Sequence, residues 1–326
     1  MTSAVPAPRR QLGNSTLTVP PLTFGGNVFG WTIDAPTSFL LLDKLIDEGL
    51  NFIDTADVYS RWMPGNEGGE SERIIGSWLK QSGKRDQVII ATKVGMAMGE
   101  NKKGLGKAYI QEAVEASLRR LNTDYIDLYQ SHEDDPFTPL EETLEAYAGL
   151  VTQGKVRVIG ASNYSSPRLL EAIEISKQHQ YPSYQSLQPH YNLYDRVEYE
   201  HTLEPTVLKH GIGVINYYAL ASGFLSGKYR NEADLTKSPR GQGVKRYLDG
   251  RGLRILDALD QVAARSDANP AQVALAWLIA RPSITAPIAS ATTLAQLDDL
   301  IAATRLKLDP DAITLLNRAS NLPWQS

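Results

Sequence analysis

The chain has 326 residues, of which 42% are hydrophobic and 21% charged, a composition typical of globular proteins. Its formal net charge of −4 argues against a nucleic-acid-binding protein, which would need a basic surface. It contains no cysteine, which excludes disulfides, thiolate metal sites and a cysteine nucleophile. No apolar run approaches the roughly 20 residues that cross a bilayer, and the first residues lack a secretory signal pattern. We therefore expect a cytoplasmic protein with no membrane partner.

Short apolar segments that recur along the chain predict eight strands. Several of them are apolar almost throughout, which is typical of parallel strands whose two faces are both buried. We place the strands near Leu22–Gly25, Asn51–Asp54, Val88–Thr92, Ile126–Tyr129, Val156–Ala161, Gln185–Gln188, Gly213–Tyr217 and Ile284–Ala289.

The segments between these strands are amphipathic and carry recognisable helix starts. Thr138, which is followed by a proline and then by Glu141, predicts a helix that begins with a capping box. Ser166, Asn269 and Asp309 each stand directly before a proline. Because proline is favoured at the first helical position, all three are predicted to cap helix N-termini.

The alternation of strand and helix favours a (β/α)8 TIM barrel. The pattern repeats eight times, mostly at about 30 residues, which is the length of a βαβ unit. A doubly wound open sheet is the alternative, but it would favour a G-x-G-x-x-G first turn. The corresponding residues here read FGGNVFG.

Two segments depart from the regular alternation. Residues 9–22 predict a β-hairpin with its turn around Gly13–Ser15, which we place across the bottom of the barrel. Residues 221–252 are rich in glycine and basic residues and predict a long binding loop after strand seven. Since we find neither an internal repeat nor a linker, we expect a single domain over residues 1–326.

Polar side chains stand at the carboxyl ends of the predicted strands. In a barrel these ends meet at one mouth, where the active site lies. The second strand is followed by an acid and a phenol, and later strands end in an amine, an imidazole and amides. In chain order these residues are Asp54, Tyr59, Lys93, His132, Ser162, Asn163, Gln188, Tyr217 and Ser290.

The segments around four of these residues resemble the motifs of the aldo-keto reductase superfamily, the NADPH-dependent (β/α)8 oxidoreductases. The segments read NFIDTADVY, VIIATKV and YIDLYQSH. The resemblance implies that Asp54, Tyr59, Lys93 and His132 form the family's catalytic tetrad. It extends from about residue 10 to the last predicted helix.

Carbonyl reduction needs a hydride donor and a proton donor, and no side chain donates a hydride. Tyr59 is the expected general acid. A tyrosine is a poor acid unless it is perturbed, so we expect the ammonium of Lys93 to lower its pKa. Asp54 would hold Lys93, and His132 would orient the carbonyl.

The resemblance also implies a cofactor site for NADPH, with NADH possible. Ser162, Asn163 and Gln188 would hold the nicotinamide carboxamide, and Tyr217 would stack on the ring. The remaining cofactor contacts are assigned to Gly26 and Asn27, to a pyrophosphate loop of Leu220, Ser222, Gly223, Leu225 and Lys228, and to an adenosine end of Ser290, Thr292, Gln296 and Asp299.

Several positions depart from the family pattern. Tyr218 and Ala219 stand where the family has a small polar residue and a proline, which makes the pocket floor bulkier. No basic residue lies near Thr292 to bind a 2′-phosphate, although the basic loop could compensate. The basic residues of that loop include Lys228, Arg230, Lys237 and Arg240.

Two further residues near the tetrad receive different interpretations. Trp62 lies in an extended loop beyond Tyr59 and is expected to contact substrate at the rim of the pocket. Asp57 receives no role from the resemblance, so we interpret it as a solvated loop acid. The histidines form no metal-ligand pair at helical spacing, so we predict no metal site.

Two functions remain open at this point. The first is a reversible NAD(P)H-dependent reductase of aldehydes or ketones that acts as a monomer or weak oligomer on a small-molecule carbonyl or alcohol. The second is a cofactor-binding regulatory subunit with little turnover, which would resemble the potassium-channel β subunits of the same superfamily.

Overall fold

The computed structural model describes residues 8–238 and 241–321. Eight parallel strands form one sheet, and the two strands that precede them form a separate antiparallel pair. The strands are β1 (Arg10–Gln11), β2 (Thr18–Val19), β3 (Thr23–Gly25), β4 (Phe52–Asp54), β5 (Ile89–Val94), β6 (Ile126–Ser131), β7 (Val156–Ser162), β8 (Ser186–Gln188), β9 (Gly213–Val214) and β10 (Ile288–Ala289).

The sheet closes on itself between its last two strands. The first strand of this eight-stranded sheet, β3, pairs with β10. On the other side, the backbone amides of Thr285 and Ala286 donate to the carbonyl of Val214 at 2.8 and 3.1 Å. The amide of Ile288 donates to the carbonyl of Asn216 at 2.9 Å. The predicted (β/α)8 barrel is confirmed, and the open sheet is not formed.

Helices follow the strands and surround the barrel. No helix in the described ranges is long and apolar enough to cross a membrane. The helices are α1 (Ala35–Asp47), α2 (Glu70–Ser82), α3 (Lys107–Leu121), α4 (Leu140–Thr152), α5 (Ser166–His179), α6 (Glu204–His210), α7 (Gly250–Arg265), α8 (Pro270–Ile279), α9 (Leu294–Arg305) and α10 (Pro310–Ser320).

Two of the predicted helix starts are confirmed. The side chain of Asn269 accepts a hydrogen bond from the amide of Gln272 at 3.0 Å, and the side chain of Gln272 accepts one from the amide of Asn269 at 3.1 Å. Asp309 caps α10 by accepting from the amide of Ala312 at 2.7 Å. These caps satisfy amide groups that lack a partner in the first helical turn.

Two other predicted caps are wrong. The cap of α5 is Ser165, and Ser166 is the first residue of the helix. At α4 the capping position is taken by Pro139, which has no side-chain acceptor. The hydroxyl of Thr138 donates to Asp135 Oδ2 at 2.7 Å instead. Competition from this acid removes the predicted capping box.

The predicted hairpin is formed by β1 and β2 and lies at the amino-terminal ends of the barrel strands. A β-carbon on Gly13 would lie 2.2 Å from the carbonyl oxygen of Gln185, just before β8. Asn14 donates from its backbone to Gln185 Oε1 and from its side chain to the carbonyl of His210. Leu12 is buried against the barrel interior. The hairpin therefore closes the bottom, as predicted.

Candidate active site

Lys93 lies at the centre of the polar groups at the barrel mouth. Its strand, β5, extends past the predicted end at Thr92, so the side chain points from a continuous strand and is fully buried. The ammonium donates to Asp54 Oδ2 at 2.6 Å and to the hydroxyl of Tyr59 at 3.0 Å. Its third bond goes to the carbonyl of Thr55 at 2.8 Å. All three protons of the ammonium thus have acceptors.

Asp54 is the last residue of β4, and its carboxylate is bonded on both sides. Oδ2 faces Lys93, while Oδ1 accepts from the side-chain amides of Gln130 at 3.2 Å and Gln188 at 3.0 Å. Gln188 also donates to Gln130 Oε1 at 3.2 Å. The side-chain amide of Gln188, predicted to hold the nicotinamide carboxamide, is thus engaged beneath the site.

The protonation of Lys93 and Tyr59 follows from competing effects. Burial lowers the pKa of Lys93, but the attraction of Asp54 and Tyr59 outweighs burial and raises this pKa above its ordinary value. Burial raises the pKa of Tyr59, and Lys93 offsets this only in part. The expectation that the pKa of Tyr59 falls is wrong, although Lys93 acts in the expected direction. The phenol remains protonated at neutral pH.

His132 follows β6 directly and lies beside Tyr59. The two rings meet edge to face, with centroids 5.9 Å apart. The imidazole is buried, and no described residue bonds its Nδ1. Burial, followed by the charge on Lys93, holds the pKa of His132 well below its ordinary value. The imidazole is therefore neutral at physiological pH.

Trp62 is a second aromatic neighbour of Tyr59. Trp62 packs edge-on against Tyr59 at 5.8 Å and against Trp31 at 5.5 Å, and 48% of its surface is exposed. Trp62 therefore lies at the rim, and its contact with substrate stays a prediction. Trp31 was missed by the sequence analysis. Its signal was an aromatic residue in the loop after the first barrel strand.

Three residues predicted to bind nicotinamide form a chain that reaches the tetrad. The hydroxyl of Tyr217 donates to Asn163 Oδ1 at 2.9 Å. The side-chain amide of Asn163 donates to the carbonyl of His132 at 2.9 Å. Ser162 donates to the carbonyl of Gln188 at 2.9 Å. The structure thus brings these residues together with the four predicted catalytic ones, while their roles stay predictions.

The loop after β9 has an unusual backbone at its start. Ser222 and Gly223 have positive φ values of 58° and 93°. Consecutive turns of this kind are typical of anion-binding backbone concavities. A β-carbon on Gly223 would lie 3.3 Å from Lys228 Nζ, and no described carboxylate pairs with Lys228. The predicted contact of this loop with the cofactor pyrophosphate stays a prediction.

Two other residues of this loop have restricted roles. Leu225 is fully buried in the core, so its side chain faces away from a ligand. The carbonyl of Leu220 accepts from the amides of Gly223 and Leu225 and shapes the turn. Arg240, which we expected to contribute positive charge, lies outside the described residues.

The predicted adenosine end is held by its own hydrogen bonds. Ser290 donates to the carbonyl of Gly25 and to Asn27 Oδ1 at 2.7 and 2.9 Å, and Gly26 is buried beside them. The side chain of Gln296 accepts from the backbone amide and the hydroxyl of Thr292.

Asp299 has a structural explanation of its own. Its Oδ1 accepts from the side chains of Asn269 at 2.7 Å and Gln272 at 2.9 Å, which form the capping box of α8. Asp299 thus ties α9 to the start of α8. Its predicted contact with adenosine stays a prediction.

Asp57 is not the solvated acid that we expected. Its side chain is 2% exposed, and neither carboxyl oxygen has a hydrogen-bond partner among the described residues. Burial and the nearby charge of Glu72 raise the pKa of Asp57 to about 8. The described residues contain no group of three or more histidine or acidic side chains that could hold a metal ion.

Comparison with known proteins agrees with this geometry. The profile of the aldo/keto reductase family matches residues 21–321. The chain belongs to this family. It is 34% identical to "Uncharacterized oxidoreductase YrpG" of Bacillus subtilis, with 94% of each chain covered. It is also 34% identical to "Aldo-keto reductase YhdN" of the same organism, over 85% of this chain and 81% of the relative.

A relative with a different kind of name is nearly as similar. The chain is 32% identical to "Probable voltage-gated potassium channel subunit beta" of Arabidopsis thaliana, with 89% of each chain covered. Family membership supports oxidoreductase activity on a small-molecule carbonyl, and the family generally uses NAD(P)H. The substrate and the choice between NADPH and NADH lie beyond these comparisons.

Proposed function

We propose that this protein is an NAD(P)H-dependent reductase of aldehydes or ketones that also runs in the reverse direction as an alcohol dehydrogenase. The proposal rests on one observation. A buried ammonium, that of Lys93, touches the Tyr59 hydroxyl at 3.0 Å and the Asp54 carboxylate at 2.6 Å. This arrangement supports a phenol that gives up its proton when a carbonyl is reduced.

The chain supplies the proton and the bound nicotinamide supplies the hydride. Tyr59 donates its phenolic proton to the carbonyl oxygen. The ammonium of Lys93 stabilises the phenolate that remains, and Asp54 keeps Lys93 charged and in place. Because burial raises the pKa of Tyr59, the phenol keeps its proton at neutral pH and can act as the acid of the reduction.

His132 orients the carbonyl oxygen next to Tyr59. Its imidazole is neutral, so it takes part as a hydrogen-bonding group rather than as the acid. The tight packing of His132 against Tyr59 supports this division of roles.

The proposed cofactor is NADPH. Ser162, Asn163 and Tyr217 would hold the nicotinamide, and the loop from Leu220 to Lys228 would hold the pyrophosphate. The ammonium of Lys228 lies over the ring of Tyr229 and pairs with no described carboxylate, which favours a highly charged cofactor. The residues around Thr292 are uncharged, so we expect measurable activity with NADH as well.

The test is the variant Tyr59→Phe, which removes the proton donor and keeps the ring. We expect turnover of a carbonyl panel to fall by about 10²–10⁴-fold, because that is the usual contribution of a positioned acid. Binding of NADPH, followed by protein fluorescence, should be unchanged. Tyr181→Phe, which keeps the ring of a half-buried tyrosine between α5 and β8, serves as the matched control. Undiminished reduction across the panel by Tyr59→Phe would refute the proposal.

The regulatory alternative is favoured by the relatives named as potassium channel β subunits. The two functions differ in a simple assay. A reductase oxidises NADPH at 340 nm when 4-nitrobenzaldehyde is added and does so over many turnovers. A regulatory subunit retains nucleotide through purification, turns over slowly and co-purifies with a membrane-protein partner.

A further inference from the structure

Tyr218 stands at the barrel mouth at a position where the sequence analysis noted a departure from the family pattern. It follows Tyr217, the residue predicted to stack on nicotinamide, and 51% of its surface is exposed. Tyr218 belongs neither to the predicted tetrad nor to the predicted cofactor contacts. The inference drawn from it rests on the proposed carbonyl-reducing function.

The backbone holds Tyr218 in a conformation that tyrosine rarely adopts. Its φ is +55°, in the left-handed region that disfavours residues with a β-carbon. Two hydrogen bonds secure this conformation, since its carbonyl accepts from the amide of Ala221 at 2.7 Å and from the side chain of Asn192 at 3.1 Å. A strained residue fixed in this way is typical of ligand-binding positions.

The side chain is fixed by two rings and yet presents a free surface. Tyr218 meets Tyr217 edge to face at 5.3 Å and His190 at 5.4 Å. His190 in turn stacks flat on Tyr217 at 5.3 Å. The hydroxyl of Tyr217 bonds Asn163, whose side-chain amide donates to the carbonyl of His132, the ring neighbour of Tyr59. An ordered aromatic surface therefore lies at the same barrel mouth as the proposed proton donor.

A second half-exposed aromatic residue at the barrel mouth contacts Tyr59 directly. Trp62 follows the second barrel strand and touches Tyr59 at 5.8 Å, whereas Tyr218 follows the seventh strand. Rings bind other rings by stacking and edge contacts more strongly than they bind alkyl chains of similar size. We propose that Tyr218 is a specificity-determining residue which, with Trp62, selects carbonyl compounds that carry an aromatic ring next to the carbonyl group.

The experiment compares 4-nitrobenzaldehyde with butanal as substrates of the wild-type chain, Tyr218→Ser and Tyr218→Phe, all with saturating NADPH. We expect Tyr218→Ser to raise KM for the aromatic aldehyde about five- to tenfold, the effect of losing one aromatic contact. Its kcat, its KM for butanal and its affinity for NADPH should change by less than about twofold, because none of them depends on the aromatic contact with Tyr218. Tyr218→Phe keeps the ring and should behave as the wild type.

Phe137→Ser is the matched control, because Phe137 is 95% exposed in the loop after β6, on the same barrel face, and is not part of the proposed site. It should leave both aldehydes unaffected. Equal changes for the two aldehydes, unchanged KM values, or an effect on NADPH affinity instead would overturn the inference while leaving the reductase intact. If the wild type reduces neither aldehyde, the proposed function fails, and the inference fails with it.

Discussion

Two buried acids on one short segment have opposite surroundings. Asp54 and Asp57 are three residues apart and are 1% and 2% exposed. Asp54 is bonded by the ammonium of Lys93 and by the amides of Gln130 and Gln188. Asp57 has no hydrogen-bond partner in the described ranges, and its nearest charged neighbours include another acid, Glu72.

The comparison shows that the donors around a buried carboxyl group, rather than its degree of burial, decide whether it forms an ion pair or keeps its proton. A carboxylate with an ammonium and two amides is stable in the interior and can hold a buried lysine in place. A carboxyl group without donors stays protonated instead. Glu72 bonds Arg120 at 2.6 Å and Thr92 at 2.6 Å. Arg120 therefore forms its ion pair with Glu72 and not with Asp57.

The largest expected effect is the change in the free energy of unfolding that Asp57→Asn causes. Unfolded Asp57 loses its proton near pH 3.8, whereas folded Asp57 keeps it until about pH 8. The folded state therefore loses stability as the pH rises between these values, by at most about 5–6 kcal/mol once the pH exceeds 8. Because asparagine stays neutral, the variant should be more stable than the wild type at pH 8.5. This advantage should be much smaller at pH 5. Urea unfolding at both pH values measures this.

Asp124→Asn provides the control, because Asp124 is exposed on the surface. Its effect on the free energy of unfolding should be small at both pH values. If the difference between Asp57→Asn and the wild type were the same at pH 5 and pH 8.5, Asp57 would be ionised in the folded protein and the contrast with Asp54 would disappear.

The second prediction concerns a variant in which Asp54, like Asp57, has no cation bonded to it. Lys93→Met removes the ammonium and leaves a buried carboxylate unpaired, which should lower the free energy of unfolding by about 3–5 kcal/mol and abolish turnover. Adding Asp54→Asn should restore part of the stability but not the activity. A single variant as stable as the wild type would contradict the role of Lys93.

The smallest expected effect tests the amide donors. Gln130→Met removes one of the two amides on Asp54 Oδ1 and leaves Lys93 and Gln188 in place. We expect a loss of about 1–2 kcal/mol in the free energy of unfolding, the usual cost of one hydrogen bond to a buried charged group. Gln178→Met on the exposed face of α5 should change nothing measurable in the same denaturant titration. A larger loss than in Lys93→Met would show that the amides, and not the cation, hold Asp54.

Much of the fold was predictable because local patterns carry it. Apolar strands at regular spacing, the hairpin turn at Gly13 and the caps Asn269 and Asp309 depend on neighbouring residues and were predicted correctly. The caps at Thr138 and Ser166 were not. In the first case an acid three residues away competes for the hydroxyl, and in the second the preceding serine is an equally good cap.

The sequence alone determined which chemical groups meet at the mouth, because the carboxyl ends of parallel strands in a closed barrel lie at one face. That rule places Asp54, Tyr59, Lys93 and His132 together before any coordinate is known. Only the tertiary structure decided how each group is solvated and bonded. The burial of Asp57, the amides on Asp54 and the raised pKa of Tyr59 all depend on side chains far away in the chain, and no local pattern records which of them will be adjacent.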